Sequence, residues 1–126
     1  MEFPSDLRYT ADHEWLRAEG AEAVVGITAF AVDQLGDVVY VDLPQPGTRL
    51  FAGAPFGTVE SVKSVSELVA PVDGEVVGVN AGLADHPELV NQACYGEGWM
   101  LRIRPADPAQ AAALKSADEY RALVGG

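Results

Sequence analysis

Lysine is scarce in this chain. Only Lys63 and Lys115 occur, and together with six arginines they stand against 19 acids for a formal net charge of −11. Such a surface repels nucleic acid and anionic membranes, favours partners with basic faces, and predicts docking that weakens as salt rises. The plainer reading of the acidity is solubility. Cysteine is scarcer still. Cys94 stands alone, so there is no internal disulfide and no thiol pair for redox chemistry or metal binding, which fits a reducing compartment. As a nucleophile Cys94 would need a base, and His86 is the nearest imidazole in sequence; a small semi-buried thiol is the plainer expectation. His13 and His86 lie far apart, outside any recognised ligand spacing, so metal binding is not expected. No run of about 18 apolar residues is present that could span a bilayer. The opening MEFPSDLRYTADHEW has neither a basic n-region nor an apolar h-region, which points to the cytoplasm of a bacterium, or to the mitochondrial matrix for a processed organellar protein.

What the chain does contain suits one small domain over residues 1–126, 48% hydrophobic and 21% charged. Short apolar runs bounded by Gly, Pro and Asp dominate: Leu7–Tyr9, Trp15–Leu16, Ala23–Ile27, Val38–Leu43, Pro55–Glu60, Glu67–Ala70, Glu75–Val79 and Trp99–Ile103. That rhythm predicts a mainly β fold. Glu19-Gly20 and Asp73-Gly74 read as tight hairpin turns. Thr28 caps a short helix that Gly36 ends, and Pro87 starts a brief helical turn through Val90. At the tail, Asp107-Pro108 predicts the start of a helix over about 107–124, with Ala113, Ala117, Tyr120 and Val124 as its apolar stripe and Gly125-Gly126 as its stop.

An internal echo runs through the middle. Asp37-Val38-Val39-Tyr40-Val41-Asp42 resembles Glu75-Val76-Val77-Gly78-Val79-Asn80, offset by 38 residues. Between the copies sits Lys63. Val59, Val62, Val65 and Leu68 recur every three residues, as in a helix turn, yet the Val, Thr and Ser content with Gly57 and Pro71 at the flanks favours two strands and a tight turn. Lys63 then falls at the tip, flanked in the turn by Val62, Ser64 and Val65, with Gly74 in a second hairpin beside it. A lysine on a hairpin tip is ordinarily a solvated charge. This one lacks basic neighbours and is framed by valines that are costly to expose unless another surface covers them, a shape that a modifying enzyme could grip. As a catalytic amine it would need a lowered pKa, whereas Glu60 and Glu67 favour its charged form. Acylation would instead remove the charge and make the stem a swinging tether.

The segment "GTVESVKSVSELVAPVDGEVVGVN" resembles the lipoyl-attachment region of the glycine cleavage system H protein family, and the likeness continues in "RYTADHEWL", "VGITAFAVDQLGDVVYVDLPQPG" and "ELVNQACYGEGWMLRIRP". The resemblance implies a barrel-sandwich hybrid, the lipoyl- and biotinyl-carrier architecture, with short helices and a C-terminal helix; an approximate two-fold between its sheets would account for the echo. It implies lipoate in amide linkage on Lys63. It also implies three partners: a pyridoxal-phosphate glycine decarboxylase that loads an aminomethyl group, a tetrahydrofolate-dependent aminomethyltransferase that removes its carbon, and a flavin dihydrolipoyl dehydrogenase that reoxidises the dithiol. Lipoate- and octanoate-attaching enzymes would be further partners. The chain itself would be a non-catalytic carrier, supplying reach and raising effective concentration.

In the family the loaded arm folds back into a cleft, and the match suggests Glu14 as the carboxylate holding the protonated amine, against the simpler reading of a surface acid beside a core Trp15. His13 is expected to be structural. Two departures, Gln92-Ala93-Cys94 and Ser64 where alanine is frequent, touch no expected chemistry. A biotin carrier would place methionines around the lysine, and here it is Val62-Lys63-Ser64. A lipoyl domain of a 2-oxo acid dehydrogenase would run into a Pro- and Ala-rich linker. A relay of lipoyl or octanoyl groups to other proteins would need the same lysine and turn, and an unmodified β-domain adaptor would not need the lysine at all.

Overall fold

In the computed structural model, residues 1–125 are described, so Gly126 and its part in the predicted helix stop lie outside the described residues. The elements run β1 (Arg8–Tyr9), β2 (Glu14–Glu19), β3 (Glu22–Ile27), α1 (Ala29–Leu35), β4 (Val38–Asp42), β5 (Arg49–Leu50), β6 (Pro55–Ser61), β7 (Val65–Val69), β8 (Gly74–Val79), α2 (Gly82–Asp85), α3 (Leu89–Gln92), β9 (Leu101–Pro105), α4 (Pro108–Ala112) and α5 (Ala117–Val124). Two sheets form. One has six strands in the order β1-β2-β3-β9-β8-β5, the other three in the order β4-β6-β7. This is the mainly β barrel-sandwich expected. The two copies of the internal echo lie one in each sheet, as β4 and β8.

Period-two alternation sorts the side chains. Leu16 on β2 and Val25 on β3 join Val41, Val59, Leu68, Val76, Leu101 and Ile103 in the main core, while Trp15 and Val24 turn to the opposite face. There they meet Phe3, Leu7, Tyr9, Ala117 and Tyr120 in a second cluster that α5 covers. Trp15 is paired with Gly26 across the β2–β3 ladder, and a Cβ at Gly26 would stand 2.7 Å from the indole, so the bare backbone is what lets the ring lie flat.

The β2–β3 hairpin turns at Gly20, whose φ of 66° is the positive value a tight turn requires. Thr28 accepts from Ala31 N–H at 3.2 Å and caps α1, which Gly36 ends at φ 79°, as the sequence indicates. On β4 the register against β6 slips between Val38 and Tyr40, a bulge that leaves Val39 and Tyr40 both half-exposed on the sheet edge.

Four expectations need correction. Asp73-Gly74 is no hairpin turn, since β7 and β8 belong to different sheets and the segment crosses between them. Gly74 pairs with Leu50 and Pro105, and glycine is required because β8 approaches β9 so closely that a Cβ would lie 2.6 Å from the Arg104 carbonyl. It therefore does not flank the lysine turn. The acid beside it, Asp73, anchors the crossover by accepting from Ala52 N–H at 2.7 Å and from Gln110 Nε2 at 3.0 Å.

The helix predicted over 107–124 is two. Tyr9 and Lys115 exchange both backbone hydrogen bonds at 2.9 Å, which pulls the chain out of helical geometry after Ala113, and Ser116 then opens α5 with a reciprocal capping box to Glu119. The turn expected from Pro87 to Val90 is the lead into α3, preceded by the unpredicted α2. Strand β5, only Arg49 and Leu50, lies outside the expected apolar runs.

A test of the hairpin frame follows from Gly57 on β6, whose Cβ would collide with the Asp42 carbonyl of β4, whereas a Cβ on Gly96 would make ordinary contact at 3.8 Å. Gly57→Ala is expected to cost about 1–3 kcal/mol in urea unfolding and Gly96→Ala less than about 1 kcal/mol.

Candidate functional site

Lys63 occupies the tip of the β6–β7 hairpin and is exposed, as the residue pattern indicates. Ser61 organises the turn. Its N–H donates to the Ser64 carbonyl at 2.8 Å, and its Oγ accepts from Ser64 N–H at 3.1 Å, so a small hydroxyl residue satisfies a turn too tight for its own ladder. Val62 and Val65, on either side, are 76% and 63% exposed, which sets an apolar collar around the amine.

The tip is tied to the body from one side. Val62 N–H donates to the Asp37 carbonyl at 3.0 Å, and Asn91 of α3 clamps the same junction, donating to the Gly36 carbonyl at 2.8 Å and accepting from Val38 N–H at 2.9 Å. The Lys63 stem lies across Gly36, with Cε only 3.3 Å from where a Cβ would be. Gly36 thus ends α1 and leaves room for the lysine.

Beside the hairpin opens a cleft of about 350 Å³. Its walls are the Asp12–Glu14 segment, Phe30, Ala31, Gln34 and Leu35 of α1, and Ser64 to Leu68 of β7, with Ile27 and Val59 beneath. Lys63 therefore stands at the lip of a cleft whose lining carries Asp12, Glu14 and Glu67, the imidazole of His13, and no lysine or arginine.

Glu14 is no surface acid. It is 1% exposed, because Trp15 faces the aromatic cluster and period two sends its neighbours toward the space between the sheets. Its Oε2 accepts from Val69 N–H at 2.8 Å and its Oε1 from Thr10 Oγ1 at 3.3 Å. Burial outweighs these bonds and pushes its pKa up to about 8. The residue before it, His13, has φ 69°, the one positive value outside glycine among the described residues. Burial holds its pKa below the ordinary histidine value.

The remaining candidates lie elsewhere. Cys94 is partly buried and its thiol is pushed up to about 11 by desolvation, the inert state expected of a structural cysteine. His86 is exposed and pairs with Glu88 at 3.1 Å. Among the described residues no group of three or more His, Cys, Asp or Glu is placed to hold a metal, and no helix is long and apolar enough to cross a membrane.

Raised burial of Glu14 has a signed consequence for stability. Below its ordinary value of 4.5 the carboxyl is neutral folded and unfolded, and above about 8 it is ionised in both. Between those limits the unfolded chain releases a proton that the folded chain keeps, so stability contributed at this site falls as pH rises. Glu14→Gln retains an acceptor for Val69 and lacks that slope. In urea unfolding the variant is expected to match wild type within about 1 kcal/mol near pH 4.5 and to exceed it by a few kcal/mol at pH 8.5, at about 1.4 kcal/mol per unit of displaced pKa.

Known proteins resemble this chain along nearly its whole length. Residues 7–125 match the family described as Glycine cleavage H-protein. The glycine cleavage system H protein of Magnetococcus marinus is 57% identical over 98% of this chain and 89% of its own, and that of Bacteroides thetaiotaomicron is 50% identical over the whole of both. A crystal structure of a glycine cleavage system H protein from Mycobacterium marinum superposes with a TM-score of 0.90 at 42% identity, covering 98% of this chain and 100% of that one. With its motifs, its two sheets and the match over nearly all its length, the chain belongs to the glycine cleavage H-protein family.

Proposed function

We propose that Lys63 is acylated by lipoate and that this chain is the carrier component, not an enzyme, of a glycine cleavage system. The observation that carries the reading is the juxtaposition of one exposed lysine on a hydrogen-bonded hairpin tip with a cleft whose lining holds three acids and His13 but no lysine or arginine. Lys63 fits such an attachment: the residue is exposed, and it stands among the exposed Val62, Ser64 and Val65, where an attaching enzyme could reach it. In amide linkage there, lipoate would supply the disulfide and dithiol chemistry by which the aminomethyl group of glycine passes from a pyridoxal-phosphate decarboxylase to a tetrahydrofolate-dependent aminomethyltransferase, with dihydrolipoyl dehydrogenase restoring the disulfide.

The chain's own residues present and shelter. Acylation of Lys63 removes a cation from the tip, leaving Glu60 and Glu67 as the nearest charges along the chain. Phe30, Leu35 and Ile27 keep water from the base of the cleft, and Glu14 meets an ammonium group there. An amine that arrives neutral takes the Glu14 proton, and the ammonium so formed draws the buried carboxyl down from about 8; the proton returns to Glu14 as the amine leaves. A carboxylate that ionises only when matched binds firmly without being costly when the cleft is empty. This lining also favours an amine-bearing cargo over service as an octanoyl relay, whose cargo is uncharged. Partners with basic faces, in the cytoplasm or the mitochondrial matrix, complement the net charge of −11 and would dock transiently.

Intact mass of the protein from its own host, beside Lys63→Ala and with peptide mapping of residues 59–75, tests the reading. One lipoyl group on Lys63 that is absent from the variant is the expected result. An unmodified Lys63 in a host whose lipoate-attaching enzymes are active overturns it.

A further inference from the structure

The geometry points to Tyr120, on the last helix, as the positioning residue of the cleft: its hydroxyl ties the His13–Glu14 wall to the start of α1. The inference rests on the reading of the cleft as the resting place of the arm. Tyr120 is fully buried, and its Oη lies 2.8 Å from His13 Nδ1 and 2.8 Å from Thr28 Oγ1. Those two residues begin the two walls. His13 precedes Glu14, and Thr28 caps α1, whose Phe30, Ala31, Gln34 and Leu35 face it. The walls also touch directly, since Thr28 N–H donates to the His13 carbonyl at 3.0 Å.

Hydrogen-bond counting orients the chain. Thr28 Oγ already accepts from Ala31 N–H, so its proton is free to be given to Tyr120 Oη. The tyrosine proton then goes to His13 Nδ1, which becomes an acceptor, and the ring carries its hydrogen on Nε2. The opposite direction would leave the buried threonine proton without an acceptor in this chain of three. A neutral Nε2–H imidazole is also the form that burial favours.

The bond has something to hold. A non-glycine residue at φ 69° relaxes unless its surroundings fix it. Thr10 accepts from His13 N–H at 3.1 Å, Phe30 packs on the ring with centroids 4.7 Å apart, and Tyr120 supplies the one polar anchor to the imidazole. The charged and titratable groups facing this ring across the cleft are Asp12, Glu14 and Glu67, with Tyr120 behind it. If His13 swings, the backbone of Glu14 swings with it, and the carboxyl meets water. Tyr120 itself is held firmly, stacked on Tyr9 at 4.9 Å and edge-on to Phe3 at 5.1 Å. A helix remote in sequence thereby sets how well a cation is received beside Lys63.

Tyr120→Phe removes only the hydroxyl and keeps the ring packing. Tyr9→Phe, which removes a hydroxyl from the same aromatic cluster, where it donates to the Pro4 carbonyl, is the control. The readouts are nitrogen NMR of the His13 ring and carboxyl-carbon titration of Glu14, both in the unmodified protein, so they stand whether or not Lys63 carries lipoate. Wild type is expected to show the Nε2–H tautomer. Tyr120→Phe is expected to mix the tautomers and to lower the Glu14 midpoint by about one pH unit or more as water enters, with Tyr9→Phe unchanged in both. An Nδ1–H tautomer in wild type overturns the proposal, as does a Glu14 midpoint that stays put in Tyr120→Phe or moves equally in Tyr9→Phe.

Discussion

A single buried carboxylate joins the two sheets at the point where they matter most. Glu14 belongs to β2 of the large sheet, and the amide it accepts from, Val69 N–H, belongs to β7, the outer strand of the small one. Without that bond an edge amide beside the cleft would go unpaired, a loss of about 1–3 kcal/mol. With it, the hairpin that carries Lys63 is referenced to the body of the protein through its own second strand. The position of the lysine, the width of the cleft and the burial of the acid are one arrangement.

That arrangement ties the hairpin to the rest of the domain at several separate points. The β6–β7 hairpin is gripped at its tip by Ser61, on its α1 side by the Asp37 carbonyl, whose flanking residues Asn91 holds, and at the end of β7 by Glu14. Apart from the Ser61 turn these ties join residues distant in the chain, and every buried side-chain polar atom among the described residues has a partner.

How much of this is legible without coordinates depends on the distance over which each contact acts. The lysine turn is local: small hydroxyls at 61 and 64, β-branched neighbours and Gly57 write it into a dozen residues, and the helix Thr28 to Gly36 is bounded by its own caps. The break in the C-terminal helix is not local, because Ala113 and Ala117 keep a helical stripe while the interruption comes from Tyr9, more than a hundred residues earlier. Asp73-Gly74 misleads for a related reason. Its glycine answers a strand passing at Arg104, not a turn. Glu14 sits between these cases. Alternation around Trp15 makes one of two faces available to it, and only the packing of Trp15 with Tyr9 and Tyr120 decides which.

The bulge at Val39 has a consequence for crowding. A three-stranded sheet offers two open edges, and an open edge can zip onto the edge of a neighbouring molecule. Here β4 is kinked where Val38 gives way to Tyr40, and β7 has the amide of Val69 capped by a carboxylate. Neither rim is a straight template. Molecules packed at high concentration can therefore slide past one another without their sheets fusing, and the lysine tip stays open to whichever visitor comes next.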